Sequence, residues 1–370
     1  MVKSLSLLVG VLCASMASAQ GLKDIYQDAF LIGSIASHQQ LTHPDAQTRA
    51  LFQREFNVLT AENDMKWQRI YPSPEGYNFA AADALMQQAE DCQCQVVGHT
   101  LIWHQQTPDW VFEDESGKPV SREVLLSRMQ SHISTLMTRY KNDVYGWDVV
   151  NEALNEDGTL RDSRWRDIIG DDYIAQAFRF AAEADPDAEL YYNDYNLNAP
   201  AKRDGAVRLV KSLLAQGIKV SGIGMQAHYM LHSPKVSQVE ASIQAFASLG
   251  VEVMITELDI SVLPFPKQAA IGAEISEIAA YAEELNPYAK QLPQEVQTAL
   301  AQRYQDLFTL FYQHRKSISR VTFWGTHDGT SWKNNWPVRG RTDYPLLFDR
   351  DGKPKPAYDA VATVPSVMAQ

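Results

Sequence analysis

The sequence predicts a single-domain α/β protein folded as a (β/α)8 barrel, in which eight parallel strands are surrounded by helices. Short apolar and β-branched runs alternate with helical patterns along the 370 residues. The runs are continuously apolar, as expected for strands of a parallel sheet that is covered by helices. There are eight of them, the number that closes a barrel. Because no Ser/Gly-rich linker or low-complexity tract divides the chain, we expect one domain over residues 20–370.

The first nineteen residues have the pattern of a secretory signal peptide. Lys3 supplies a positive start, residues 5–13 an apolar centre, and Ala17-Ser18-Ala19 a cleavage signal before Gln20. The apolar centre is too short to span a bilayer, and no later segment reaches that length. We therefore expect a protein that is secreted to the periplasm or the medium and has no membrane partner.

The predicted strands and helices follow one another in order. The eight strands are predicted at 30–37, 56–63, 94–104, 145–152, 188–196, 220–228, 251–259 and 320–328. Between them, 122–140 repeats apolar residues at helical spacing, and the helical patterns 201–217 and 237–250 both end in Gly, which commonly follows a helix.

One long irregular segment follows the seventh strand. It contains Pro264, Pro266, Pro287 and Pro293, with a helix predicted near 271–285. A loop this long inside a compact domain is usually functional, so we expect this segment to form a lid or a wall of the cleft.

The amino-acid composition limits the classes of molecule that this protein is expected to bind. The net charge of −12 does not favour nucleic acid or anionic lipid. Eight Trp and sixteen Tyr suit a neutral partner with apolar faces, such as a sugar, although most aromatic residues are simply core. Cys92 and Cys94 are too close in sequence for an unstrained bridge, so we expect two thiols, Cys94 buried and Cys92 half-exposed. No metal site or cofactor is predicted.

Polar and aromatic side chains follow nearly every strand. In a (β/α)8 barrel the carboxyl ends of the strands carry the active site. The residues at these ends are Glu62, Asn63, His99, Trp103, His104, Asn151, Glu152, Asn193, Tyr195, Gln226, His228, Glu257, Asp259, Trp324 and, in the last loop, Trp332. Alternation along a strand places Gln226 with His228 and His99 with Trp103, and it separates His99 from His104.

Two of these residues, Glu152 and Glu257, would face each other across the barrel mouth. Cleavage of a glycosidic bond uses such a pair, one as proton donor and one as nucleophile when the carboxyl groups lie about 5–5.5 Å apart. The donor needs a raised pKa and the nucleophile must stay ionised. His228, held by Asp259, is a suitable hydrogen-bond donor to Glu257.

Each of these candidate site residues could also have a purely structural role. A single Glu at a strand end is usually solvated or ion-paired, His99 and His228 could be core histidines, and Lys66 could be a surface charge. The tryptophans could be rim packing. The matched placement of the two glutamates favours the catalytic reading.

Seven ordered motifs resemble those of glycoside hydrolase family 10, the retaining endo-β-1,4-xylanases. They are TAENDMKW, GHTLIWHQQTPDW, WDVVNEA, YNDYN, GIGMQAH, ITELDI and FWGTHD…SW, and the similarity extends from Gly21 to the PLLFDRDGKPKPAYDA segment. The resemblance implies a retaining endo-1,4-β-xylanase, with xylan and xylo-oligosaccharides as substrates and no cofactor. We expect a monomer.

The resemblance also implies a role for each matching residue. Glu152 matches the acid/base, Glu257 the nucleophile, and Asn151 the residue that binds the sugar 2-hydroxyl. His228 and Asp259 match the pair that orients the nucleophile, and Gln226 belongs to the same motif. The matches to the glycone-binding wall and its roof are Glu62, Asn63, Lys66, His99, Trp103, Gln106, Trp324 and Trp332. Gln106 and Trp332 match residues that crowd the place of the glucose hydroxymethyl group.

The sequence departs from this family at Val97, where a basic residue is frequent, and it lacks the cysteines of a late-strand disulfide. The extended LNPYAKQLP loop resembles a subgroup and could reshape the aglycone side. Three alternatives stay open: a related hydrolase of β-glucan or mannan, a non-catalytic carbohydrate-binding barrel, and, least favoured, a phosphate-binding metabolic barrel.

Overall fold

The computed structural model describes residues 20–264, 282–337 and 340–369. Within them the predicted (β/α)8 barrel is confirmed. The strands are β1 Leu31–Ala36, β2 Val58–Ala61, β3 Gln95–Trp103, β4 Val144–Asn151, β5 Glu189–Asp194, β6 Gly222–Met225, β7 His228–Met230, β8 Glu252–Ser261 and β9 Ile318–Phe323.

All strand pairings are parallel, and the barrel closes between β6 and β8. The order around it is β6, β5, β4, β3, β2, β1, β9, β8, and β6 pairs back to β8 from Gly222 opposite Glu252 to Met225 opposite Ile255. Parallel strands in a closed ring all end on the same side, so their polar exits meet at one mouth.

Helices surround the barrel. They are α1 Leu22–Ile25, α2 His38–Thr42, α3 Ala46–Glu55, α4 Trp67–Ile70, α5 Ala80–Cys92, α6 Arg122–Arg139, α7 Arg164–Ile169, α8 Tyr173–Ala184, α9 Pro200–Ala215, α10 Val236–Ala247, α11 Ala282–Leu285, α12 Gln294–Gln313 and α13 Pro356–Met368. In the described residues, none of these helices is long and apolar enough to cross a membrane.

The three helices predicted from periodicity are present. Helix α6 begins after Ser121, whose side chain accepts a hydrogen bond from the Val124 N–H. Gly217 and Gly250 follow α9 and α10 with φ of +70° and +75°, a left-handed conformation that glycine adopts without a steric penalty.

The barrel interior below the mouth holds a small apolar cluster. Val58, Val97, Tyr191 and Met254 are fully buried there and contact one another. Val97, where the family often has a basic residue, is therefore an interior packing residue and lies away from the rim. The larger core lies between the strands and the surrounding helices.

The predicted sixth strand, 220–228, differs from the observed structure. It is interrupted after Met225, because Ala227 adopts a left-handed conformation with φ of +63°. The chain then turns into β7, which pairs with the end of β8 and sets His228 opposite Asp259. The sequence does not reveal this break because the residues on both sides of Ala227 are compatible with a strand.

The expectation for the two cysteines is wrong. Cys92 and Cys94 are joined in a disulfide, with Cα atoms 5.3 Å apart. Helix α5 ends at Cys92, and Gln93 takes a left-handed conformation (φ 56°, ψ 40°) that turns the chain back on itself. Cys92 is buried and Cys94 is half-buried, the reverse of the expected exposure.

Two predictions fall mainly outside the described residues. The signal peptide at 1–19 lies entirely outside them. Of the helix predicted near 271–285, only α11 lies within them.

Candidate active site

The mouth of the barrel is a cleft of about 860 Å³, and it collects the predicted site residues. All of them except Asn193 and Asp259 line it, and these two are fully buried. Residues that reach the cleft come from β7, from the ends of β2, β3, β4, β5, β6, β8 and β9, and from the loops that follow them. His99 and Trp103 both line the cleft, and so do Gln226 and His228, although the break at Ala227 means that Gln226 and His228 are not on one continuous strand.

Glu152 follows β4 directly, and its carboxyl group is held by two side-chain donors. Trp103 Nε1 donates to Oε2 at 2.9 Å, and Gln226 Nε2 donates to Oε1 at 3.0 Å. The main chain of Glu152 is left-handed, with φ of +57°, and its N–H donates to the Asn193 carbonyl at 2.9 Å. Its carboxyl group is thereby directed into the cleft.

Glu257 lies on β8 and is almost completely buried, at 4% exposure. Asn193 Nδ2 donates to Oε1 at 2.8 Å, and His228 Nε2 lies 3.0 Å from Oε2. Burial alone raises the pKa of Glu257. The hydrogen bond from His228, with positive charge from His99, His228 and Lys66, outweighs burial and lowers the pKa below its ordinary value. This carboxyl group is therefore ionised.

His228 bridges Glu257 and Asp259. Its Nδ1 lies 3.0 Å from Asp259 Oδ1, on the side of the ring away from Glu257. Burial lowers the pKa of His228, but the charges and hydrogen bonds of Asp259 and Glu257 dominate and raise it to about 9. A protonated His228 therefore donates a hydrogen bond from Nε2 to Glu257 and forms an ion pair with Asp259 on its Nδ1 side.

Asp259 has further partners. Trp332 Nε1 donates to Oδ2 at 2.8 Å, and Lys333 Nζ lies 3.3 Å from Oδ1. The buried Asp259 thus fixes both the nucleophile's histidine and the tryptophan at the rim of the cleft.

Three amide side chains connect the two glutamates. Asn151 Oδ1 accepts from Gln226 Nε2 at 3.2 Å and from Asn193 Nδ2 at 3.0 Å, and these same nitrogens contact Glu152 and Glu257. A continuous series of hydrogen bonds therefore joins one carboxyl group to the other. It requires Gly224, since a Cβ there would stand 2.3 Å from Asn193 Oδ1.

One wall of the cleft is built on the loop after β2. Asn63 Oδ1 accepts from Lys66 Nζ at 2.9 Å and from Gln106 Nε2 at 3.3 Å. Burial lowers the pKa of Lys66, opposed by Glu257, Glu62 and Glu152. Burial also raises the pKa of Glu62, although Lys66 opposes it. The wall therefore presents fixed hydrogen-bonding groups.

Aromatic rings complete the cleft. Lys66 Nζ lies 4.9 Å from the centre of the Trp103 ring and 5.9 Å from that of Trp324. Trp324 packs edge-on against His99 at 5.4 Å, and His99 Nδ1 lies 2.8 Å from the buried Asp148. These contacts hold the rings in position before any ligand arrives.

Sequence reasoning missed several residues of this site. Arg161 and Lys333 line the cleft, whereas Asp148, Asp194 and Lys202 are buried behind it. A charged side chain is usually exposed. Asp148 and Asp194 stand inside the motifs WDVVNEA and YNDYN, but no motif contains Arg161, Lys202 or Lys333. His104, predicted to point away, also lines the cleft because β3 ends at Trp103 and strict alternation ends with it.

A (β/α)8 barrel with two glutamates and several tryptophans in one sugar-sized cleft has the features of the barrel glycoside hydrolases. The chain belongs to glycosyl hydrolase family 10, whose model matches residues 21–364. The family expected from the seven motifs is therefore confirmed.

Relatives with known names align with this chain over nearly its full length and theirs. The chain is 46% identical over 336 residues to endo-1,4-beta-xylanase A of Xylanibacter ruminicola, with 90% of each chain covered. It is 44% identical to an endo-1,4-beta-xylanase of Geobacillus stearothermophilus, covering 95% of this chain and 100% of the relative. Among solved structures, a GH10 endoxylanase from a sugarcane soil metagenome has a TM-score of 0.87 at 43% identity, covering 93% of this chain and 99% of the other.

Proposed function

We propose that this protein is a secreted endo-1,4-β-xylanase that hydrolyses internal xylosidic bonds of xylan with retention of configuration. The observation that supports this most strongly is the pair Glu152 and Glu257 in one cleft, joined by the hydrogen bonds of Asn151, Asn193 and Gln226. The names of the family 10 relatives supply the substrate class.

In the first step Glu257 is the nucleophile. One of its carboxylate oxygens attacks the anomeric carbon while the bond to the leaving oxygen breaks, and the carboxyl proton of Glu152 passes to that oxygen. The products are a shortened chain with a free hydroxyl and a sugar esterified to Glu257. The low pKa of Glu257 supplies the anion that this attack needs.

In the second step Glu152 acts as the base. Its carboxylate takes a proton from water, the water oxygen attacks the anomeric carbon, and Glu257 departs as a carboxylate. Two inversions give net retention, and both side chains return to their starting protonation states. We assign to Asn151 the hydrogen bond to the sugar 2-hydroxyl, which strengthens as positive charge develops on the ring.

Specificity for xylose is proposed to come from steric exclusion. Gln106 donates a hydrogen bond to Asn63, and Trp332 donates one to Asp259, so neither side chain can easily move aside. A glucose unit carries a hydroxymethyl group that would meet these fixed residues, whereas xylose has a hydrogen at that place.

The roles of the two glutamates are tested by azide rescue. Glu257→Ala should lose xylan hydrolysis, and azide should restore cleavage of an activated xyloside with formation of the α-azide, the inverted product. Glu152→Ala with azide should give the β-azide instead. Undiminished xylan hydrolysis by Glu257→Ala would remove the proposal.

A second candidate is hydrolysis of β-glucan. One 38% identical relative, of which this chain covers 29%, is named exoglucanase XynX of Acetivibrio thermocellus. Parallel assays on xylan and carboxymethylcellulose decide between the two, and release of reducing sugar from either polymer excludes a purely binding role. Export by residues 1–19 and a monomeric state are part of the proposal; N-terminal sequencing of the exported protein and light scattering test them.

A further inference from the structure

Arg161 connects the main chain of Glu152 to Tyr195, which follows the neighbouring strand β5. Its side chain lines the cleft. Nε donates to the Glu152 carbonyl at 3.0 Å, and Nη2 donates to the Tyr195 hydroxyl at 2.7 Å and to the Leu154 carbonyl at 3.1 Å. One planar guanidinium therefore spans three acceptors.

The main chain brings Arg161 back to Glu152. The Arg161 N–H donates to the Ala153 carbonyl at 2.8 Å, and Leu154 and Leu160 form an antiparallel bridge. Residues 153–161 thus form a short hairpin that starts directly after Glu152. Its last residue returns the guanidinium to the Glu152 peptide.

Tyr195 is a fixed anchor at the other end. Its N–H donates to Asp194 Oδ1 at 2.9 Å, and the Lys202 ammonium lies 3.4 Å from the centre of its ring. Lys202 and Asp194 are both fully buried and are paired at 3.0 Å. Because this pair lies in the interior, the Tyr195 ring has little freedom to move.

Glu152 needs such support. A left-handed conformation costs a non-glycine residue about 1–2 kcal/mol. The peptide on its amino side is held by the Asn193 carbonyl, and the carbonyl of Glu152 itself is held by Arg161. Loss of the second contact would let the peptide relax and the carboxyl group move.

We propose that Arg161 is a positioning residue for proton transfer. It keeps the Glu152 carboxyl group where it can protonate the leaving oxygen of a sugar bound against Tyr195. This inference rests on the proposed function, because it assumes that Glu152 is the proton donor. The alternative is that Arg161 only closes the hairpin and contributes to stability.

The leaving group separates these two roles. A sugar hydroxyl or a phenol departs as a poor anion and needs the proton from Glu152, whereas 2,4-dinitrophenolate departs without it. General acid catalysis contributes about 10²–10⁴-fold, and a displacement of about 1 Å can cost about 10²-fold. A misplaced Glu152 carboxyl group should therefore slow cleavage of substrates with poor leaving groups and leave cleavage of the dinitrophenyl glycoside nearly unchanged.

The experiment compares Arg161→Lys with Arg128→Lys on xylan and on a series of aryl β-xylobiosides. Lysine keeps the charge but cannot reach two anchors. Arg128 is the matched control, because its Nη1 donates to the carbonyls of Trp110, Val111 and Glu113 and does not contact Glu152. For Arg161→Lys we expect kcat/KM about 10–100-fold lower on xylan and the phenyl glycoside, and within about threefold of wild type on the dinitrophenyl glycoside.

Tyr195→Phe removes only the hydroxyl acceptor and serves if Arg161→Lys does not fold. It should show the same selectivity, with about a two- to fivefold loss on poor leaving groups, since one hydrogen bond contributes about 1 kcal/mol. A loss equal for all leaving groups, no loss, or the same pattern in Arg128→Lys would overturn the proposal. Failure of the proposed function would look different: wild type would not cleave the xylobiosides.

Discussion

Replacing Asp259 with Asn tests how the nucleophile is kept ionised. Asp259 is fully buried and, as the larger contributor beside Glu257, holds the His228 pKa at about 9, against an ordinary value of 6.5. At 1.36 kcal/mol per pH unit this difference favours the imidazolium by about 3 kcal/mol. Without the Asp259 charge, only Glu257 opposes the effect of burial, so we expect the pKa of His228 to fall and the ring to lose its charge near pH 7.

The consequence falls on Glu257. A hydrogen bond from a charged donor contributes about 1.5–3 kcal/mol, and one from a neutral donor about 1 kcal/mol. Because the two kinds of hydrogen bond differ by about 1 kcal/mol, loss of the charge at His228 should raise the pKa of Glu257 and lower kcat/KM about five- to tenfold at acidic pH. Since the carboxylate is the active form, the acidic limb of the pH profile should move to higher pH.

The assay is kcat/KM for an aryl β-xylobioside from pH 3 to 9. Asp343→Asn is the control, because Asp343 is also a fully buried carboxylate but accepts from Ser261 Oγ at 2.5 Å instead of from His228. The control should lose stability without moving the acidic limb. If Asp259→Asn follows the wild-type profile in shape and height, this explanation of the ionised nucleophile is wrong.

Three further predictions concern specificity and stability. Gln106→Ala should raise the ratio of cellobioside to xylobioside activity several-fold, as measured by kcat/KM for the two aryl glycosides; an unchanged ratio would refute steric exclusion. His132 is fully buried, and burial lowers its pKa to about 3, so its contribution to stability is complete above pH 6.5 and decreases by up to about 1.4 kcal/mol per unit as pH falls toward 3. His132→Phe should therefore flatten the acid side of the Tm profile, and an equally steep profile would contradict this. Lys202→Met leaves Asp194 buried without its cation and should cost about 3–5 kcal/mol in urea unfolding, whereas Lys202→Met with Asp194→Asn should recover part of it; equal losses would argue against the pair.

The sequence predicts the strands well because apolar runs and helical periodicity report burial directly. It also predicts which strand ends supply the site, since parallel strands must end at one mouth. The break at Ala227 and the turn at Gln93 escape prediction, because each depends on one left-handed residue that is not glycine.

The sequence does not predict the buried charged residues behind the site, for a different reason. Lys202 and Asp194 are fully buried, and their burial depends on the ion pair between them and on contacts with Glu156 and Tyr192, which no local pattern shows. Arg161 lies next to Glu152 only because the hairpin of residues 153–161 turns the chain back, and motif spacing does not show this turn. Motif spacing gives the groups that face the cleft, and tertiary contacts determine what holds them.

The most direct test of the central claim is to identify the residue that becomes glycosylated. A 2-fluoro-xylobioside with a good leaving group slows the second step, so the sugar ester accumulates and can be located by mass spectrometry of proteolytic fragments. We predict one sugar per chain, attached to Glu257 in the peptide that contains Val253–Asp259. A label on Glu152 or on any other residue, or an enzyme that turns over without ever carrying a label, would contradict the account.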